Sequence, residues 1–132
     1  MQNYPVKILM AFAETFSGGE QFFKWLLKNG YPELAALSSA IRGSEEAFKW
    51  LMANKYPHFA ALDGAIDNQA HPRAWLVKHN FTLLVNLADA VNARPDALAW
   101  LNKNDLKIFL YIAGKIRTYR DSQYFDHHKK RF

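Results

Sequence analysis

The chain has 132 residues and a net charge of +5, and 50% of its residues are hydrophobic and 15% aromatic. This composition is too apolar for a disordered protein, and the length suits a single domain, residues 1–132, with one core. The absence of cysteine excludes a disulfide framework and a thiolate metal site, and favours a reducing compartment such as the cytoplasm.

The first predicted element is a helix within residues 1–18, which resembles an unpaired second half of a repeat unit. Its apolar residues at helical spacing are Ile8, Leu9, Phe12, Ala13 and Phe16. The run from Val6 to Ala13 has some features of a signal peptide, but Lys7 interrupts it and the run is short for a leader. No stretch is long enough for a membrane span. We therefore expect a packing helix and a cytoplasmic protein.

Four copies of a 25-residue segment follow this helix. Their boundaries are 19–43, 44–68, 69–93 and 94–118, and each copy contains a Trp-Leu pair at the same position. The first two copies share thirteen of their 25 residues. A fixed period of this length is typical of stacked repeats, because one short unit needs neighbours to complete its core.

Each copy is predicted to form a hairpin of two short helices. In the first copy, helical spacing connects Phe22, Trp25 and Leu26, and then Leu34, Leu37, Ala40 and Ile41. Ser17 and Glu20 suggest a capping box, Asn29–Gly30 a left-handed helix end, and Pro32 the first turn of the second helix. We predict an all-α fold, a short αα-superhelix of four helical hairpins with an extra N-terminal helix and a C-terminal cap or tail.

The tryptophans fit the apolar register of the repeats, so we expect them in an inter-repeat core. The predicted core residues are Trp25, Trp50, Trp75, Trp100, Leu37, Leu62, Leu87 and Ile112. An exposed ladder of tryptophans that stacks on bases or sugars is the alternative.

The second helix of the last copy is apolar on nearly every side between Leu106 and Ile112, although a terminal helix should be polar outward. The C-terminal segment 119–132 is predicted to fold back as a cap. Its aromatic residues are Tyr119, Tyr124, Phe125 and Phe132. Without such a cap, the exposed face would support self-association or partner docking.

Basic residues are concentrated in the last quarter of the chain, which favours contact with phosphates or acidic proteins. The candidate binding residues are Lys107, Lys115, Arg117, Arg120, Lys129, Lys130 and Arg131. A solvated terminus that aids solubility is the alternative.

No catalytic, metal-binding or cofactor signature accompanies the repeats, so we expect no cofactor and no enzymatic activity. Asp63 and Asp67 lie four residues apart and share one helix face, which we interpret as a solvated surface. His127 and His128 are adjacent and therefore diverge on a helix, which disfavours a shared metal ion.

The segment Phe22–Gly30 resembles the second helix and following turn of an ankyrin repeat, and Pro32-x-Leu34 resembles its first helix. The 25-residue period leaves no room for the ankyrin β-hairpin, so the chain resembles αα-hairpin solenoids more generally. This resemblance implies a non-enzymatic module that binds an unidentified protein or peptide. The outward positions suited to such binding are Lys24, Lys28, Lys49, Lys78 and Lys103. Nucleic-acid or phosphate binding through the basic C-terminal region is the alternative.

Overall fold

The computed structural model describes the backbone of residues 1–129 and the side chains of residues 1–123. This part of the chain contains helices and turns and no strands, which confirms the predicted all-α helical-repeat fold. The helices are α1 (Val6–Glu14), α2 (Glu20–Lys28), α3 (Pro32–Ile41), α4 (Glu45–Ala53), α5 (Pro57–Ile66), α6 (Ala70–Lys78), α7 (Thr82–Val91), α8 (Pro95–Lys103) and α9 (Lys107–Lys129). Each predicted copy contains two of these helices, although α9 extends beyond the fourth copy, and α1 is the predicted extra helix.

The turn inside each hairpin is built in the same way in every copy. Gly30 has a φ of 86°, and the next amide, that of Tyr31, donates to the carbonyl of Leu26 at 2.9 Å. This is the left-handed ending that Asn29–Gly30 predicted. The equivalent residues Lys55, Asn80 and Asp105 also have positive φ. The repeated asparagine adds a bond, because Asn29, Asn54 and Asn104 donate to the carbonyls of Trp25, Trp50 and Trp100 at 2.8 Å.

The helix starts agree with the prolines but not with the predicted capping box. Pro32, Pro57 and Pro95 are the first residues of α3, α5 and α8. Ser17 follows α1 and donates to Glu14, while Gly19 precedes α2 without a side-chain bond. The side-chain cap occurs one copy later, where Ser44 accepts from the amide of Ala47 at 3.1 Å.

The helices form two layers around one core. Helices α1, α3, α5, α7 and α9 form an inner layer in which each packs against the next. Helices α2, α4, α6 and α8 form an outer layer, and each of them packs against the two inner helices that it connects. The outer helices do not contact one another. Spaces therefore open between them on the outer surface.

The inner layer closes into a ring because α1 packs against α9. The ring of Phe16, just after α1, lies 6.1 Å from the ring of Tyr119 in α9, measured between centroids. Lys115 Nζ lies 3.5 Å from Glu14 Oε1 across the same contact. A short superhelix keeps its two ends apart, so the closure is a feature that the repeat pattern did not predict.

The closure explains why the last inner helix is so apolar. Phe109, Ile112 and Ile116 are buried in a helix that packs against α1, α7 and α8. The prediction of a folded-back cap is wrong, because α9 runs without a break from Lys107 to Lys129 and so includes residues 119–129. The face on which predicted self-association depended is covered by α1 of the same chain.

The core contains the predicted inner-helix residues but only the edges of the tryptophans. Leu37, Leu62, Leu87 and Ile112 are fully buried, as predicted. Trp25, Trp75 and Trp100 are partly buried against the core, and Trp50 is 36% exposed. The leucine after each tryptophan occupies the core position instead, since Leu26, Leu51, Leu76 and Leu101 are all fully buried. Neighbouring residues on a helix point about 100° apart. Because each outer helix packs against the inner layer with one face, the leucine of each Trp-Leu pair is buried and the tryptophan lies at the edge of that face.

No helix within residues 1–129 combines the length and apolar character that crossing a lipid bilayer requires.

Candidate functional site

The predicted basic binding residues do not form one surface. Lys107 is exposed in the first turn of α9. Lys115, Arg117 and Arg120 lie eight to thirteen residues further along the same helix, which corresponds to roughly 12–20 Å along its axis. The structure therefore places Lys107 at the opposite end of the ring from the two arginines.

Arg117 and Arg120 are engaged within the fold. Arg117 Nε donates to the carbonyl of Val91 at 3.1 Å, and Arg120 donates to the carbonyls of Val91 and Ile66 at 3.1 and 3.2 Å. Arg120 also donates to Asn92 Oδ1 at 2.9 Å. These carbonyls belong to the last residues of α5 and α7, where no intrahelical partner remains and a positive charge is favourable. The two arginines thus tie three inner helices together at one end of the ring.

Lys115 belongs to the contact that closes the ring. Its ammonium donates to Ser17 Oγ at 3.0 Å and pairs with Glu14. The hydroxyl of Tyr111 donates to the same carboxylate, and this hydrogen bond, followed by the charge of Lys115, holds the pKa of Glu14 below its usual value. A phosphate-binding role for Lys115 would have to compete with this contact.

The remaining predicted residues of the C-terminal segment fall largely outside the described part of the chain. Lys130, Arg131 and Phe132 lie outside the described residues, and the side chains of Tyr124, Phe125 and Lys129 are not described.

Two of the tryptophans stack on an aromatic residue of their own repeat. Trp50 stacks on Tyr56, with 6.2 Å between ring centroids, and Trp75 stacks on Phe81 at 5.8 Å. Each partner is the residue that precedes the next inner helix. The stacking therefore fixes α4 and α6 each to the turn that follows it, and the placement of all four tryptophans in an inter-repeat core stays a prediction.

An open groove lies between the outer helices α4 and α6, with α5 as its floor. Its volume is about 890 Å³. Phe48 and Met52 line it from α4, and Trp75 lines it from α6. The side chains of Phe48 and Met52 remain 39% and 53% exposed. Lys49, one of the predicted outward lysines, also lines the groove. Contiguous exposed apolar surface is a feature of interaction sites, so this groove is the candidate site.

The equivalent space between α6 and α8 is filled by ion pairs. Asp89 of α7 accepts from Arg73 Nη2 at 2.8 Å and from Arg94 Nη1 at 2.5 Å. Burial opposes ionisation of Asp89, but the hydrogen bonds from Arg73 and the charges of both arginines hold its pKa below the usual value. This cluster joins α6, α7 and the start of α8.

Three substitutions at the same repeat positions leave the space between α4 and α6 open. The residues 25 positions later are charged: Phe48 and Gly64 of the second copy correspond to Arg73 and Asp89 of the third, and Gln69 of the third copy corresponds to Arg94 of the fourth. Gly64 also permits close packing of α5 and α6, because a Cβ atom there would lie 2.5 Å from Pro72 Cγ. The groove is therefore encoded by divergence between copies.

Two carboxylates lie on the floor of the groove, at its end near the C-terminus of α5. Asp63 is half-buried, and burial together with the charge of Asp67 raises its pKa to about 7. Partial burial also raises the pKa of Asp67, although Arg120 opposes this. Among residues 1–123, neither carboxylate takes part in an ion pair. Asp67 is exposed, as the interpretation of this pair as a solvated surface expects, whereas the half-burial of Asp63 departs from it.

Comparison with protein-family models, curated proteins and solved structures gave no match. The groove is thus interpreted from its own chemistry. Among the described side chains, no group of three or more His, Asp and Glu is arranged to hold a metal ion.

The sequence pattern indicated Asp63 and Asp67 as a pair but did not indicate a groove. It identified the pair from its spacing of four residues, yet spacing alone does not report burial. The missing signal was the difference between Phe48, Gly64 and Gln69 and the charged residues that stand 25 positions later, Arg73 and Asp89 in the third copy and Arg94 in the fourth. That comparison becomes informative only once the ion pairs of Asp89 are seen.

The variant Asp63→Asn should stabilise the protein increasingly as the pH rises. The folded state raises the pKa of Asp63 from its usual value near 3.8 to about 7, so ionisation reduces the free energy of unfolding between about pH 4 and pH 7. A pKa shift of this size corresponds to a loss of at most about 4 kcal/mol in the free energy of unfolding, and partial exposure of Asp63 to solvent reduces this loss to about 1–2 kcal/mol. Urea unfolding of both proteins at about pH 4.5 and pH 8 measures the difference. An advantage of the variant that is equal at both pH values would contradict the burial of Asp63.

Proposed function

We propose that this protein is a non-enzymatic interaction module that binds a short peptide segment of another protein in the groove between α4 and α6. The observation that carries the proposal is the exposure of Phe48 and Met52 on α4, opposite Trp75 on α6, above an open space of about 890 Å³. Aromatic residues and methionine are enriched at the centres of protein interfaces and supply much of their binding energy. We further propose a cytoplasmic location, which the absence of cysteine supports.

The dimensions of the groove suit a short segment. Its floor, α5, has ten residues, which corresponds to roughly 15 Å. A peptide in extended conformation spans that length with about four or five residues. Methionine adapts its shape to different partners, and the rigid rings of Phe48 and Trp75 supply fixed contact area at little entropic cost.

Nucleic-acid or phosphate binding has weaker support. The donors of Arg117 and Arg120 are directed at backbone carbonyls, and Lys115 pairs with Glu14. The exposed apolar groove carries Asp63 and Asp67, which repel phosphate. The structural observations therefore favour the peptide-binding alternative.

Selection from a random peptide display library on the immobilised protein tests the proposal. We expect enrichment of peptides that bind the wild-type protein and lose at least about tenfold in affinity, or about 1.4 kcal/mol, when Phe48 and Met52 are both replaced by alanine. Fluorescence anisotropy with labelled copies of the enriched peptides measures the affinities.

The control is Leu27→Ala, since Leu27 occupies the repeat position of Met52, is 48% exposed and lies on α2 away from the groove. The enriched peptides should bind this variant as they bind the wild-type protein. Failure to enrich any peptide, or equal affinity for the double variant, would refute the proposed function.

A further inference from the structure

The groove between α4 and α6 has an apolar end and an acidic end. Met52 and the first turn of α5 form the apolar end, and Phe48 lies between the two ends, one helical turn after Glu45. The acidic end contains Asp63 on α5, Asp67 immediately after α5, and Glu45 at the start of α4. Because α4 and α5 run in opposite directions, the start of one lies beside the end of the other, and the three carboxylates fall at the same end.

Carboxylates dominate the charge of the groove. The charged residues that line it are Glu45, Lys49, Asp63 and Asp67, together with His71. Arg120 approaches Asp67 from α9, and its guanidinium is already bonded to Ile66, Val91 and Asn92. Asp63 has neither a cationic partner among the described residues nor full contact with water. A half-buried carboxylate of this kind gains free energy when a cation pairs with it.

The next repeat shows how this fold neutralises such a carboxylate. Asp89, which belongs to the neighbouring position of the third copy, is held between the guanidinium groups of Arg73 and Arg94. The positions that supply those arginines are occupied by Phe48 and Gln69 beside the groove. No described side chain forms an ion pair with Asp63, so a cation on a bound segment would complete the acidic end.

We infer that the segment bound in the groove is basic and apolar, with an arginine or lysine at Asp63 and Asp67 and a large apolar side chain between Phe48, Met52 and Trp75. This inference rests on the proposed function and adds the chemical class of its partner. The two ends of the groove lie within roughly 15 Å along α5, so the cation and the apolar residue are separated by no more than about four residues in an extended segment.

Three labelled heptapeptide pools test the inference by fluorescence anisotropy. Every peptide has a central Phe or Leu, and the flanking positions carry Lys and Arg in the first pool, Gln and Asn in the second, and Asp and Glu in the third. We expect the basic pool to bind at least tenfold more tightly than the neutral pool, and the acidic pool to bind more weakly than both.

Two variants separate the contributions of charge and apolar contact. The variant Asp63→Asn with Asp67→Asn should reduce the affinity of the basic pool to that of the neutral pool, and Asn92 already occupies the position of Asp67 in the third copy, so asparagine suits this site. The variant Phe48→Ala should reduce the affinity of the basic pool at least fivefold. The matched control is Asp96→Asn, which removes an exposed carboxylate from the first turn of α8, and it should leave the affinity unchanged.

The outcomes distinguish this inference from the proposed function. Equal binding of the basic and neutral pools, with loss on Phe48→Ala, would overturn the basic partner and support a peptide-binding groove. Binding of the basic pool that responds equally to Asp96→Asn and to the groove variants would reflect net charge alone and would also overturn the inference. Absence of binding by all three pools would overturn both.

Discussion

Replacing Leu51 by alanine should destabilise the protein far more than replacing its neighbour Trp50. Leu51 is fully buried, whereas Trp50 is 36% exposed and stacks on Tyr56 at the surface of its own repeat. Truncation of a buried leucine leaves a cavity and costs about 2–5 kcal/mol. Loss of a partly exposed stacked ring should cost less than about 2 kcal/mol.

Urea unfolding of the two variants measures both losses of stability. Equal values of the slope m, the dependence of the free energy of unfolding on urea concentration, exclude a change in the unfolded state. The two residues are adjacent in α4, so their distance from the helix ends does not explain a difference between the two variants. A larger loss for Trp50→Ala than for Leu51→Ala would mean that the tryptophans form the core between repeats. The original interpretation from the sequence would then be correct.

Replacing Phe12 by alanine should destabilise the whole ring and not only its N-terminal helix. Phe12 is fully buried in α1 and its ring meets that of Phe16 edge-on at 5.4 Å. We expect a loss of about 3–5 kcal/mol, which is a large part of the 5–15 kcal/mol stability of a typical domain. In a closed ring this loss extends to α9, which packs directly against α1.

Hydrogen exchange monitored by NMR distinguishes global from local destabilisation. In the Phe12→Ala variant, the amides of Ile112, Ala113 and Ile116 in α9 should exchange faster. The factor should correspond to the loss in the global free energy of unfolding. In an open stack, α1 would fray alone, and exchange in α9 would stay as in the wild-type protein.

The period of the sequence was sufficient to predict the helices and their order. Recurrence of Trp-Leu every 25 residues defined the copies, and Gly30 and Pro32 placed the turn between two helices of one copy. These are local features, because a positive φ and a proline at a helix start constrain only the neighbouring backbone. These local predictions agree with the structure at nearly every position.

Features that depend on several repeats together could not be predicted in the same way. Apolar residues on nearly every side of α9 were correctly identified as needing a cover, but periodicity does not state which element supplies it. The rotation from one inner helix to the next decides whether α1 reaches α9, and that angle depends on side-chain volumes across each contact. The sequence pattern therefore suggested the C-terminal segment, whereas α1 covers the helix.

The candidate site was missed for a related reason. A difference between copies becomes a groove only where the side chains of two outer helices and one inner helix meet. Phe48, Gly64 and Gln69 lie on three helices or their ends, and each looks unremarkable alone. Their joint effect is visible only beside the ion-pair cluster around Asp89.

Closure of the ring underlies the whole account, because it covers α9 and leaves the spaces between outer helices as the open surface. A distance between spin labels on Lys7→Cys and Lys107→Cys tests it most directly. Both side chains are exposed near the starts of α1 and α9, and the chain has no cysteine of its own. Adjacent helices lie about 8–10 Å apart, so a closed ring predicts a distance below about 20 Å with label linkers included. A distribution centred at about 35–40 Å, four helix spacings, would show an open stack and contradict the account.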